Sequence, residues 1–193
     1  MGLKDVDYWS IERYIQYEYT TEAKHEYERG EILMMSGGTI NHGVLCGNAY
    51  NELRNGLEKS PKNCRALGSE IRIYIDKAES IVYPDAMVIC GEIETSQEDK
   101  DAVVNPILVV EVLSKSTESY DRGDKFYKYR QLKSLKEYIL INQDKAVVET
   151  FYKKADNVWE ISRISGLNAS IELQSIGVHL DMQSLYRDLK LID

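Results

Sequence analysis

The sequence predicts a mixed α/β or α+β fold, in which helices flank a central mixed β-sheet. The first observation is that helical and strand patterns interleave along the chain, in the order helix, strand, helix, several strands, helix and several strands. The second is a composition of 43% hydrophobic and 29% charged residues, which is ordinary for a globular protein. The third is the length of 193 residues, which suits one domain spanning residues 1–193 with a substantial core.

The helices are predicted from capping residues and apolar periodicity. Ser10 precedes apolar residues at helical spacing, so we expect it to cap a short first helix. Residues 41–57 carry leucine and alanine at four-residue intervals, which predicts a second helix ending before Pro61. Residues 117–132 follow possible Ser and Thr caps and predict a third helix, with charged and aromatic side chains.

The strands are predicted from short runs of β-branched and aliphatic residues bounded by turn residues. We expect them at residues 31–35, 70–76, 84–90, 107–113, 136–142, 146–154 and 158–165. The last three follow one another as a meander.

Charge and cysteine content narrow the function classes. The net charge of −8 argues mildly against a protein that simply coats nucleic acid, because non-specific affinity comes from neutralising phosphates. Residues 115–136 are the exception, with seven bases against three acids. The N-terminus lacks the apolar core of a signal peptide and no apolar run is long enough to span a membrane, so we expect a cytoplasmic protein. Cys46, Cys64 and Cys90 are expected to be reduced packing thiols, and their spacing does not predict a zinc site.

Two carboxylates occur in apolar strands. Glu111 lies within PILVVEVLSKST, where burying a charge is costly unless it is paired. Asp85 begins the apolar part of YPDAMVIC, and in neighbouring strands the two acids could converge and repel unless a cation or proton lay between them. Oxygen ligands of this kind suit Mg²⁺, although a buried acid is also commonly a structural ion-pair partner.

Several motifs resemble, in their order along the chain, the Uma-type restriction endonuclease family of the PD-(D/E)XK nuclease superfamily. They are YERGEILMMSGGTINHGVL, YPDAMVIC, PILVVEVLSKST, YDRGDKFYKYRQL and LKEYILIN. The resemblance covers residues 27–152, about the extent of a nuclease core, and implies a restriction-endonuclease-like fold.

The resemblance implies a set of site residues. Asp85 and Glu111 match the metal-binding carboxylates, and His42 matches a family histidine that we expect as a further metal ligand. Glu31 matches the acid that the superfamily often places ahead of the Asp, with Glu28 as a rival for this role.

The sequence departs from the superfamily pattern at Leu113, where a lysine is expected two residues after the Glu. Lys115 and Lys125 are candidates to replace it, and the family resemblance favours Lys125. Helical spacing agrees, because Asp121, Lys125 and Tyr129 lie four residues apart on one helical face.

The resemblance implies a Mg²⁺-dependent endonuclease, with Mn²⁺ as a possible substitute, that hydrolyses DNA phosphodiester bonds. Two-fold symmetry would suit the cutting of both strands, so we expect a homodimer. The alternative is a non-catalytic nucleic-acid-binding or interaction protein that retains the nuclease fold. Residues 171–189 either form the dimer surface or close the core.

Overall fold

The computed structural model describes residues 8–35 and 37–192. Its helices are α1 (Ile11–Glu18), α2 (Ile40–Glu58), α3 (Glu118–Tyr120), α4 (Phe126–Tyr129) and α5 (Met182–Leu185). A π-helical turn (Asp121–Lys125) joins α3 to α4, so these three pieces form one continuous helical segment, which we call the α3–α4 segment. A short 3₁₀ turn covers Asp76–Ala78.

The strands form a six-stranded sheet, a five-stranded sheet and a two-stranded hairpin. The six-stranded sheet has the order β11-β10-β9-β8-β6-β3 and the five-stranded sheet has the order β2-β1-β5-β4-β7. The strands are β1 (His25–Glu28), β2 (Glu31–Met34), β3 (Cys64–Gly68), β4 (Arg72–Ile75), β5 (Ser80–Val82), β6 (Ala86–Cys90), β7 (Ala102–Val103), β8 (Leu108–Leu113), β9 (Glu137–Asn142), β10 (Val147–Ala155), β11 (Val158–Ser165), β12 (Ser170–Leu173) and β13 (Val178–Asp181). Both larger sheets are mixed, because β8 pairs in parallel with β9 and β4 with β7, which confirms the predicted fold class.

The six-stranded sheet is covered on both faces, and β8 is buried along its whole length. Val110 and Val112 point into a core that includes the apolar face of α2. Val109 and Leu113 point to the opposite core, which contains Tyr129 of the α3–α4 segment. Because side chains alternate along a strand, Glu111 faces the α3–α4 segment.

The C-terminal hairpin closes the core against α2. Ile171, Leu173, Val178 and Leu180 are all buried in the same cluster as the leucines of α2. Of the two interpretations of residues 171–189, the structure therefore favours core closure, since their apolar side chains are covered by this chain itself.

The N-terminal hairpin positions an acidic strand beside the central sheet. β1 and β2 pair antiparallel with Glu28 opposite Glu31. Arg29 and Gly30 both have positive φ, 46° and 90°, as a two-residue type I′ hairpin turn requires. The same turn explains why Gly30 immediately precedes a strand.

The prediction that all three cysteines are reduced thiols is wrong for two of them. Cys64 and Cys90 lie directly opposite each other in the β3–β6 pair, and the structure joins them in a disulfide. The spacing of the cysteines did not predict this pairing, because 26 residues separate the two. Cys46 is the free cysteine among the described residues.

Candidate active site

Antiparallel pairing of β6 and β8 brings the two strand acids together. Ala86 lies opposite Val110, so continuing the register by one residue places Asp85 opposite Glu111. Asp85 Oδ2 accepts a hydrogen bond of 2.7 Å from the Val112 backbone N–H, which holds the carboxylate at the end of its strand. The prediction that these two strands are neighbours is confirmed.

Glu111 is paired with a lysine although it lies in an apolar strand. Its side chain is 3% exposed, and its Oε1 lies 2.9 Å from Lys125 Nζ. The Tyr129 hydroxyl donates a second hydrogen bond of 2.7 Å to the same oxygen. Lys125 and Tyr129 are four residues apart, so the α3–α4 segment supplies both partners from one face.

Lys125 is held by groups from three other parts of the chain. Its Nζ donates to the Tyr83 backbone oxygen at 2.9 Å and lies 3.3 Å from Glu26 Oε1. Asp121 Oδ1 is 3.9 Å away, one turn earlier in the α3–α4 segment. The Tyr83 oxygen is thus a hydrogen-bond acceptor for the ammonium group, and Glu111, Glu26 and Asp121 surround it as ion-pair partners.

Burial and mutual repulsion perturb the pKa values of this acidic cluster. Burial would lower the pKa of Lys125, but Glu111, Glu26 and Asp121 outweigh it and hold the pKa well above its usual value. Burial raises the pKa of Glu111 well above its usual range, and the charges of Asp85 and Asp121 add to this rise while Lys125 opposes it. Burial likewise raises the pKa of Asp121. Lys125 is therefore a fixed positive charge among crowded carboxylates.

His42 and Cys46 approach Asp85 from the first two turns of α2. Thr39 caps the helix by accepting the His42 backbone N–H, which orients the first turn. His42 Nε2 lies 3.5 Å from Asp85 Oδ2, and the hydrogen bond to Asp85 raises the His42 pKa. Burial would raise the pKa of Asp85, but its bonds to His42 and Val112 outweigh burial and lower it. The Cys46 sulfur lies 3.4 Å from His42 Nδ1, and burial raises the thiol pKa.

Several of these groups line a pocket of about 130 Å³. The start of α2 contributes Thr39 and His42 to its wall. Asp85, Glu111, Asp121 and Lys125 line it as well, and the turn after β8 adds the hydroxyls of Ser114, Ser116 and Thr117.

The structure does not bring every predicted residue to this pocket. Glu31 is exposed on β2 and is absent from the pocket wall. Glu28 instead forms an ion pair with Lys128, with 2.6 Å between Oε2 and Nζ. Lys115 is exposed in the turn after β8, whereas Leu113 packs in the apolar core.

Sequence reasoning missed Glu26, which lies on the same hairpin as Glu31. Glu26 is 6% exposed, lies beside Lys125 and accepts the Tyr120 hydroxyl at 2.7 Å and the Tyr83 backbone N–H at 3.2 Å. A signal was available, since the alternation of KHEYERG resembles a strand before the Arg-Gly turn. Glu26 was not identified as a site residue because β1 was not predicted as a strand.

The donor atoms at the pocket wall and beside it fit a divalent cation. Among the described residues, the group of potential ligands within 4.8 Å of one another consists of His42, Cys46 and Asp85. Glu111 is not a member of this group, and Lys125 and Tyr129 already contact its Oε1. The donor set therefore contains carboxylate oxygen, imidazole nitrogen and sulfur.

A mixed sheet that brings two strand acids and a helix lysine to one pocket defines a restriction-endonuclease-like nuclease fold. The chain belongs to the Uma2 family, described as "Putative restriction endonuclease", whose model matches residues 11–183. The family resemblance seen in the sequence motifs is thus confirmed.

Curated relatives and a solved structure agree with this assignment. Two proteins of Synechocystis sp. are similar to this chain over most of their length. "Uncharacterized protein sll1609" is 37% identical over 82% of this chain and 89% of the relative. "Uncharacterized protein slr1290" is 33% identical over 93% of this chain and 92% of the relative. The crystal structure of "a putative nuclease belonging to DUF820" from Anabaena variabilis superposes with a TM-score of 0.68. It covers 86% of this chain and 91% of its own at 16% identity, so it supports the fold alone.

Proposed function

We propose that this protein is a metal-dependent endonuclease that hydrolyses phosphodiester bonds of DNA at the pocket between β6, β8 and α2. The observation that carries the proposal is the 2.9 Å contact between Lys125 Nζ and Glu111 Oε1. It supplies from a helix the lysine that the superfamily pattern expects at the position of Leu113.

Asp85, Glu111 and His42 would hold Mg²⁺, with Mn²⁺ as a substitute, and the Cys46 sulfur lies beside them. When bound, the cation would supply charge neutralisation at the phosphate and a lowered pKa for water. The fit rests on the oxygen and nitrogen donors that converge around Asp85.

The protein's own residues would position the substrate. Lys125 would exchange one of its present contacts for a phosphate oxygen and stabilise the negative charge that develops during displacement. Thr39 and His42 stand at the positive end of the α2 dipole, which favours an anion in the pocket. Glu26 would fix the orientation of Lys125 through its 3.3 Å contact.

The second candidate function is non-catalytic nucleic-acid binding on the retained nuclease fold. The bonding of Glu111 favours it, because Lys125 and Tyr129 already occupy Oε1 and reduce its capacity as a ligand. The net charge of −8 disfavours general affinity for nucleic acid, so among non-catalytic functions it favours an interaction protein that retains the fold.

Cleavage of supercoiled plasmid and short DNA duplexes, with Mg²⁺, Mn²⁺ or EDTA, separates the two functions. We expect cleavage with the metals and none with EDTA. Asp85→Asn should lower the cleavage rate at least about 100-fold, because it weakens the cation site at the reacting phosphate. Equal cleavage by wild type and Asp85→Asn would identify a contaminating nuclease and contradict the enzymatic function. RNA of the same sequence tests the choice of DNA.

The assembly and placement of the protein complete the proposal. We propose a homodimer, since cutting two strands suits two-fold symmetry, and a single domain over residues 1–193 with the nuclease core at 27–152. None of the described helices is long and apolar enough to cross a membrane. A cytoplasmic location is part of the same proposal.

A further inference from the structure

A thiol that the proposed nuclease chemistry does not use lies beside two residues of the pocket wall, His42 and Asp85. Cys46 lies one turn after His42 on α2, and its sulfur is 3.4 Å from His42 Nδ1. It belongs to the donor group with His42 and Asp85, whose ligand atoms all lie within 4.8 Å of one another. The other two cysteines are joined to each other in a disulfide, so they offer no competing thiol in this state.

The distances suit a small, borderline-soft cation. Zinc bonds of about 2.3 Å to sulfur and about 2.0 Å to nitrogen place tetrahedral ligand atoms about 3.5 Å apart. His42 Nε2 lies 3.5 Å from Asp85 Oδ2, and all ligand atoms of the set lie within 4.8 Å of one another, which exceeds the tetrahedral edge by little more than about 1 Å. All three side chains are partly buried.

The donor types decide which ion binds. Mg²⁺ takes oxygen ligands and keeps several waters, so it gains little from a thiol. Sulfur and imidazole ligands favour Zn²⁺ and related transition ions instead. A lone carboxylate, Asp85, provides the hard donor of the set.

We propose that His42, Cys46 and Asp85 form a binding site for a Zn²⁺-class cation, with the Cys46 sulfur as a direct ligand. The site rests on the proposed function in one respect, because it shares His42 and Asp85 with the Mg²⁺ site. Occupancy by Zn²⁺ therefore excludes the catalytic cation, and zinc acts as an inhibitor.

Cobalt titration of the purified full-length protein tests the site without nucleic acid. We expect Co²⁺ to produce a sulfur-to-cobalt charge-transfer band in the near ultraviolet, which one equivalent of Zn²⁺ removes. Cys46→Ser should abolish the band and weaken Zn²⁺ binding at least about tenfold by calorimetry, since it replaces a thiolate ligand. The Cys64→Ser/Cys90→Ser double variant is the matched control and should keep the band.

The proposal is overturned if wild-type protein gives no charge-transfer band, or if Cys46→Ser retains it. The first result does not depend on any variant being folded. Neither result depends on cleavage, so failure of the zinc site and failure of the nuclease function are read in separate experiments. If cleavage is observed with Mg²⁺, rising Zn²⁺ should suppress it, and cleavage that is unaffected at zinc saturation overturns the inhibitory role.

Discussion

Glu111 is tolerable in an apolar strand because two donors reach it from one helix face. Lys125 and Tyr129 both bond its Oε1, at 2.9 Å and 2.7 Å. A buried ion pair of this kind adds little net stability, but removing one partner alone costs about 3–5 kcal/mol. A buried ion pair that adds little stability and lies at the wall of a pocket is typical of a functional site.

Local sequence spacing could predict some residues of the candidate site and not others. Local spacing was sufficient for Lys125, because Asp121, Lys125 and Tyr129 share a helical face and all three are buried. It could not distinguish Glu31 from Glu26, since both lie on the same hairpin. Their difference arises from the pairing of β1 with β5, a contact between residues more than 50 positions apart in the sequence.

Substitutions of Glu26 and Glu31 should affect DNA cleavage differently. We expect Glu26→Gln to slow DNA cleavage about tenfold, because a neutral amide holds the Lys125 ammonium less firmly. Glu31→Gln is the matched control on the same hairpin and should cleave within about twofold of wild type, since its side chain is exposed. Initial cleavage rates with Mg²⁺ measure both variants. A greater loss of rate in Glu31→Gln than in Glu26→Gln would contradict the role of Glu26 and assign it to Glu31.

At the scale of elements, the α3–α4 segment differs from the uniform helix that was predicted over residues 117–132. A π-turn covers Asp121–Lys125, and the segment ends at Tyr129. Single π-turns inside helices occur frequently at functional sites. Sequence periodicity cannot identify such a turn, because the same side-chain face is buried with or without it.

Edge and hairpin strands were the other elements that sequence patterns missed. β1, β3, β5 and β7 are five residues or shorter, and each is stabilised by pairing with distant parts of the chain. Short strands carry too few residues for a reliable alternation pattern. The long helix α2 and the central strands β8 and β9 were predicted well, because their apolar patterns are strong.

The C-terminal hairpin is attached to the central sheet through one buried acid. Glu137, at the start of β9, accepts hydrogen bonds from the Gln174 backbone N–H and from both the backbone N–H and hydroxyl of Ser175. Its side chain is fully buried. This anchor fixes the loop between β12 and β13 while their apolar residues cover α2.

Removing that anchor should destabilise the fold. We expect Glu137→Ala to lower the free energy of unfolding by about 2–3 kcal/mol, because it leaves donors in the 174–175 loop without their acceptor. Glu172→Ala, at an exposed position of β12, is the control and should change it by less than about 0.5 kcal/mol. Urea denaturation followed by circular dichroism measures both, and equal midpoints for wild type and Glu137→Ala would contradict the anchoring role.

For the whole molecule, the distribution of charge matters more than its net value. About half of the basic charge in residues 115–136 is used internally: Lys125 and Lys128 are buried in ion pairs, and Arg122 pairs with Glu118 and Glu149. Of the remaining cations, Arg130, Lys133 and Lys136 line a separate groove of about 490 Å³, which we call the basic groove. Its charged residues are Lys77, Arg130, Lys133, Lys136, Lys153 and Asp156.

The basic groove is the surface of this acidic protein that best suits a phosphate backbone. Lys153 pairs with Asp156 at 3.1 Å, while the other four cations form no ion pair within the described part of the chain. Trp159 adds an aromatic wall. Arg130 and Lys133 of this groove follow the α3–α4 segment that carries Lys125.

A charge reversal in the basic groove should weaken DNA binding in a salt-dependent way. We expect Lys133→Glu to lower duplex affinity and to reduce the slope of log affinity against log salt by about one, as for one lost phosphate contact. Lys59→Glu, which makes the same charge change at the exposed end of α2, should leave the slope unchanged. Fluorescence anisotropy in EDTA measures binding without cleavage, and identical slopes for both variants would exclude the groove.

The central claim is that Lys125 replaces the lysine missing at Leu113, and single-turnover cleavage of a labelled DNA duplex with Mg²⁺ tests it most directly. We predict that Lys125→Met, once shown by its thermal melt to be folded, cleaves at least about 100-fold more slowly than wild type. Lys115→Met, which removes the exposed rival lysine, should cleave at the wild-type rate. Cleavage by folded Lys125→Met at the wild-type rate would contradict this claim. An equal loss of cleavage rate in Lys115→Met would contradict it as well.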